Sequence, residues 1–102
     1  MIYLKMHKTD KGDMIAMCDE NLIGKVFNEG KAELDLKTYS DFYKGDLMKK
    51  DQIIKAIGMA QLYSANIVGK ESIDVLVEHG IIEKGSVKTI AKIPYVHIYN
   101  VL

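Results

Sequence analysis

Two stretches of strict apolar–polar alternation stand near opposite ends of the chain and bracket a middle that changes to helical spacing. Residues 2–7, IYLKMH, put Ile2, Leu4 and Met6 on one side and Tyr3, Lys5 and His7 on the other, the period of a half-buried strand. Toward the C-terminus Tyr95, His97 and Tyr99 alternate in the same way with Val96 and Ile98. A chain that runs strand, helix, strand buries its helices against its own sheet, which predicts an α+β domain with a mixed or antiparallel sheet.

The intervening segments fill in that outline. KTDKGD is a turn by composition, and DMIAMC reads as the returning strand of a hairpin. KAELDLK (31–37) alternates again after Gly30 and predicts a third strand. SDFYKGD is a loop whose two aromatics need a surface to pack on. From about residue 50 to 62, Ile53, Ile54, Ile57 and Ala60 follow helical spacing, with Gly58 weakening the helix by about 1 kcal/mol relative to alanine. GKESIDVLVEHG is the stronger helix: Ile73, Leu76 and Val77 form a stripe, Glu71 and Asp74 come early, and Gly80 is placed to stop it. SVKTIAKI and YVHIYNVL then read as two strands about Pro94, which demands a bend or a sheet edge. The expectation is one domain over residues 1–102: an N-terminal β-hairpin plus a third strand, two central helices and two C-terminal strands.

Composition narrows the function classes. Hydrophobic residues make up 48% and charged residues 27%, a globular balance. No apolar run has signal-peptide or membrane-spanning length, so no membrane partner is expected. A single cysteine, Cys18, cannot form an intramolecular disulfide and fits the cytoplasm. All fourteen basic residues are lysine, balanced by fourteen acids. That removes a general basic field and the bidentate arginine contacts of many nucleic-acid binders. Beyond Glu83, however, the chain carries Lys84, Lys88 and Lys92 and no acid, which suits either an edge-protecting role or a contact with RNA.

Two stretches share the order Asn, two aliphatics, Gly, Lys: residues 21–25 and 66–70. Neither has the upstream glycine or the trailing Ser or Thr of a phosphate-binding P-loop. The first leads into a loop and a strand and the second into a helix, so they read as two turns that end alike. They nominate Lys25, Asn66, Gly69 and Lys70 as binding residues. From Gly69 to Gly80 the spacing also fits half of a helix-hairpin-helix, except that Ile67 stands where its first glycine belongs. Cys18, Asp19 and Glu20 are weak catalytic candidates, because flanking carboxylates raise a thiol's pKa. His7, His79 and His97 are isolated, and neither a metal nor a cofactor is expected. Tyr95, His97 and Tyr99 share a face, and with Lys88 and Lys92 they make the best candidate surface: aromatics beside lysines on a sheet stack single-stranded bases, or are covered by a partner.

MCDENLIGKVFNEG, DFYKGDL, ANIVGKESIDVLVEHGII and IPYVHI together resemble the archaeal conserved family known as domain of unknown function 424. The likeness runs in order through Cys18, Asp19, Glu20, Gly24, Lys25, Phe27, Glu29, Gly30, Phe42, Tyr43, Gly45, Ala65, Asn66, Gly69 and Pro94. The family pattern has His directly after the proline and Gln two residues later; this chain has Tyr95 and His97, so a role for that His would be lost or shifted here. The resemblance implies a small archaeal cytoplasmic protein and names no reaction. It also implies that the two Gly-Lys stretches flank one surface. Three functions stay open: an RNA- or ribonucleoprotein-binding module, a small enzyme or ligand-binding protein built on Cys18, Asp19, Glu20, Asn66 and His97, and an interaction subunit or homodimer.

Overall fold

The computed structural model describes residues 1–99. β1 (Ile2–Thr9) and β2 (Gly12–Asp19) form the N-terminal hairpin, with Thr9 opposite Gly12 across a two-residue turn. β2 then pairs in parallel with β6 (Leu62–Val68), and β6 pairs antiparallel with β8 (Ile93–Tyr99). Short strands β5 (Asp46–Met48) and β7 (Lys88–Ile90) close the edges, giving the order β5-β1-β2-β6-β8-β7.

Alternation along the strands sorts side chains to two faces, and both are covered. On the first, Ile2, Leu4, Ile15, Met17, Ala65, Ile67 and Val96 pack with Ile53 of α2 (Lys50–Met59) and with Ile73, Val75 and Leu76 of α3 (Lys70–Glu78). On the second, Ala16, Cys18 and Val68 lie beneath Leu22, Leu34, Leu36 and Tyr43. These come from the chain around a separate two-stranded hairpin, β3 (Val26–Glu29) and β4 (Ala32–Asp35), and from the short helix α1 (Ser40–Tyr43).

Three departures from the sequence reading have physical causes. The strand expected over residues 31–37 forms as β4 but pairs only with β3, lying over the second face instead of joining the main sheet. The central strand β6 falls where a helix end and a turn were expected. Covered on both faces, it reads as a near-continuous apolar run without alternation. Consequently the two Gly-Lys stretches are not both turns: Asn21 and Leu22 belong to a 3-10 turn, while Asn66, Ile67 and Val68 end β6. Residues 100–102, expected to continue the last strand, lie outside the described residues. Pro94 sits one residue past the point where β6 stops pairing at Tyr95; on that side only its carbonyl is used, by the Gly69 amide, so its missing N–H costs no bond to β6.

The junction of β2, β6 and α3 is held by one carboxylate. Asp19 is buried and accepts hydrogen bonds from the amides of Glu71 (3.0 Å) and Ser72 (2.8 Å) and from the Ser72 hydroxyl (2.7 Å). It thereby caps α3 from fifty-two residues away, where the residue before the helix, Gly69, has no side chain to do so. Gly69 is obligatory twice over: its φ is +108°, and a Cβ would run into the Asp19 carboxylate. Replacing Asp19 with Ala leaves the buried Ser72 amide and hydroxyl and the part-buried Glu71 amide unpartnered. Urea denaturation of Asp19→Ala should show a loss of roughly 2–4 kcal/mol, with Asp19→Asn keeping part of the stability.

Candidate functional site

Register alone brings most of the nominated residues together. Asn66 on β6 lies opposite His97 on β8, Val68 opposite Tyr95, Ser64 opposite Tyr99, and Lys88 on β7 opposite Tyr95 from the other side. Paired residues share a face, so Lys88, Tyr95, His97, Tyr99 and Asn66 all belong to the second face. Tyr3, Lys5 and His7 on β1 belong to it as well, through their partners Cys18, Ala16 and Met14.

The face is not uniformly open. The β3–β4 hairpin and α1 close the part over Cys18 and Val68, leaving a step that drops to β8. α1 is anchored on β1: the Phe42 ring stacks on His7 at 4.6 Å between centroids, His7 Nε2 donates to the Phe42 carbonyl oxygen at 2.9 Å, and the Lys5 ammonium donates to the Asp41 carbonyl oxygen at 2.6 Å. Gly45 permits this approach, since a Cβ there would collide with the backbone of Leu4 and Lys5. Here the two aromatics of the SDFYKGD loop find their surface, which the sequence did not reveal.

At the foot of the step is a depression of about 420 Å³, lined by Asn66 and His97 from the sheet and by Glu33, Asp35, Tyr39, Phe42 and Tyr43 from the covering layer. Outside it the aromatic row continues edge to face, Tyr95 to His97 at 5.8 Å and His97 to Tyr99 at 6.5 Å. Tyr99 is 69% exposed and Tyr39 62%, unusual accessibility for large rings. Among the described residues, the Asn66 side chain makes one hydrogen bond, from Nδ2 to the Met14 thioether at 3.7 Å. That is a weak partner, so its amide has donor and acceptor capacity left. Partial burial, and then the Lys88 ammonium, lower the His97 pKa below the ordinary histidine value, so the ring is neutral at neutral pH. Burial pushes the Tyr43 phenol up to about 12, with Cys18 adding to the shift, which keeps it a hydroxyl. Neutral aromatics, an amide and two flanking carboxylates can hold a flat, uncharged, hydrogen-bonding ring. They supply no activated nucleophile.

The remaining nominees lie elsewhere. Cys18 is buried; its thiol donates to the Asp19 carbonyl oxygen at 3.4 Å, and burial and then the Asp19 charge push it up to about 12. Such a thiol has almost no thiolate at neutral pH. Asp19 is committed to capping α3, and Glu20 is exposed beyond it. The Gly69 turn offers little to a phosphate: Gly69 donates to the Pro94 carbonyl oxygen at 2.8 Å, and the Glu71 and Ser72 amides both donate to Asp19. Half of a helix-hairpin-helix is therefore present in spacing but already filled by a protein carboxylate. Asn21 and Lys70 do line one shallow depression at this end of the sheet, beside Glu20, Glu71 and Asp74. Lys25 is exposed at the entry to β3, and Lys92 is exposed in the β7–β8 turn. His7, His79 and His97 stand on β1, at the end of α3 and on β8, and among the described residues no three metal-ligating side chains converge. Tyr39, Glu33 and Asp35 were not nominated; only the folding-over of β3–β4 brings them to the site.

A layered α+β protein with an open aromatic step on its sheet is the class that this fold and site define. The chain belongs to the family described as protein of unknown function (DUF424), whose model matches residues 6–101. Its fold is also that of an uncharacterized conserved protein from Methanopyrus kandleri: 23% identity, 97% of this chain and 90% of that one covered, TM-score 0.79. A comparison with curated proteins finds no match.

Two measurements check these side-chain states. Iodoacetamide at neutral pH should leave Cys18 unmodified in the native protein and label it fully in denaturant, as read by intact mass. By NMR the His97 ring should titrate below the ordinary histidine value, and Lys88→Ala should raise it part of the way back. Because its folded pKa lies below the unfolded one, the His97 contribution to stability is present above the ordinary value and is lost as pH falls toward the lowered one.

Proposed function

We propose that this protein is a non-enzymatic binding module that takes unpaired bases of RNA against the aromatic step of its sheet, in a cytoplasmic ribonucleoprotein or translation-related setting of an archaeal cell. The observation that carries the reading is the Tyr95–His97–Tyr99 row running out from the depression that holds Asn66. Rings presented along a strand stack bases without regard to sequence. Asn66 supplies a donor and an acceptor for a base edge, and Lys88 supplies a positive charge for the backbone. Glu33 and Asp35 in the covering layer repel phosphates, and Glu33 can accept from an exocyclic amino group while Asp35 is held by the Lys37 and Thr38 amides, so the backbone runs along the Lys88 side.

The lack of arginine and the zero net charge make such binding weak and its salt dependence shallow. The buried, protonated Cys18 counts against the alternative of an enzyme that uses this thiol. A second copy of the chain is the competing occupant of the exposed Tyr99 side, and sedimentation velocity separates the two. In fluorescence anisotropy at low salt, a labelled single-stranded RNA should bind saturably. His97→Ala with Tyr99→Ala should weaken binding roughly tenfold or more. Lys88→Ala should reduce the salt slope by about one. No RNA binding at low salt, together with a dimer whose dissociation follows Tyr99→Ala, would replace this reading with the interaction-subunit one.

A further inference from the structure

The opposite side of the sheet carries a second surface of different chemistry. Between α3 and the β7–β8 turn lies a groove of about 400 Å³ with a floor of Ile73, Val77, Val87 and Pro94 and a rim of Lys70, Lys84 and Lys92. Pro94 alternates with Tyr95 along β8, so this groove opens on the face away from the aromatic step. Asp74 is the one carboxylate in its lining, and among the described residues none of the three lysines forms an ion pair.

The turn that presents Lys92 is held in an uncommon conformation. Ala91 and Lys92 are consecutive non-glycine residues with φ of +50° and +68°, in a two-residue connection between Ile90 and Ile93. Asn-Gly would satisfy that geometry without strain. Here the Glu29 carboxylate of the β3–β4 hairpin accepts from the Ala91 amide at 3.0 Å and holds the turn in place. Positive φ at both central residues is what a two-residue hairpin turn requires, and the turn fixes Lys92 at the rim of the groove.

We infer that this groove docks an acidic amphipathic segment of a partner protein, with a large apolar side chain on the Ile73–Val77–Val87–Pro94 floor and carboxylates against Lys70, Lys84 and Lys92. Charge complementarity selects the occupant: three unpaired ammonium groups call for carboxylates. The floor is aliphatic and without an aromatic ring, so it rewards buried apolar area and gives a nucleobase nothing to stack on. Lying on the other side of the sheet, the site can be filled while the aromatic step is occupied, and it stands whether or not that step binds RNA.

The test uses the full chain and a fluorescein-labelled peptide alternating glutamate with leucine and phenylalanine, alongside the same peptide with glutamine for glutamate. Saturable anisotropy is expected for the acidic peptide in the micromolar-to-millimolar range, with backbone and methyl NMR shifts centred on Val77 and Val87. Lys84→Glu with Lys92→Glu should weaken it about tenfold or more, while the urea midpoint stays near that of the parent. Tyr99→Ala should leave it unchanged. Absence of saturable binding, equal binding of the glutamine peptide, or shifts centred on Tyr95–Tyr99 would overturn the assignment. So would single-stranded RNA or anionic vesicles engaging Lys84 and Lys92 in the peptide's place.

Discussion

The hairpin, the central strand and the helix that covers the first face meet at the Asp19 carboxylate. β2 and β6 run in parallel and end level, Cys18 beside Val68, so the next residues are Asp19 and Gly69. The carboxylate occupies the volume that a side chain at position 69 would fill and receives the first amides of α3. The Gly69 amide in turn reaches the Pro94 carbonyl oxygen at the start of β8. One buried charge, satisfied by three donors, thus sets the end of the hairpin, the central strand, the covering helix and the last strand relative to one another. Burying it is tolerable because the donors, including the N-terminal end of a helix, are supplied in full.

How much of the fold was legible in the sequence depends on how many faces of an element are solvated. β1 and β8 each have an outer face that stays partly open, so Ile2–Leu4 and Val96–Ile98 alternate visibly with Tyr3, Lys5, His97 and Tyr99. The helices α2 and α3 have one buried stripe each and announce it at helical spacing. β6 is covered on both faces except where Asn66 meets the depression: Ala65 and Ile67 lie under α3 while Val68 lies under the second layer, and its pattern fades into a run that resembles a helix end. The β3–β4 hairpin was half legible. Its alternation showed in residues 31–37, but nothing in a strand's own pattern says which sheet it joins.

The same distinction governs the site. Strand period placed Tyr95, His97 and Tyr99 on one face, and that is where they are. The depression beside them depends on α1 docking onto β1 through Phe42 and His7, a contact between residues thirty-five apart made possible by the missing Cβ of Gly45. Cys18 and Asp19 invited a chemical reading because a thiol beside carboxylates looks like machinery. Burial decides otherwise, raising the thiol to about 12 and turning the carboxylate into a cap.

Of the residues on which the family likeness rests, Asp19, Gly45 and Gly69 are accounted for by capping or close approach, Tyr43 by burial, and Pro94 by its place at the end of the β6 ladder. Asn66 is not accounted for. A side chain of its size on a central strand would stabilise the fold more as valine or isoleucine, and its thioether contact is poor compensation for a partly desolvated amide. The sheet holds a polar group at that position, next to a neutral imidazole and under a layer that leaves it open on one side. The depression beneath Tyr39 and Phe42, unlike the cysteine or the glycine turns, is where a polar side chain of the sheet is left without a strong protein partner.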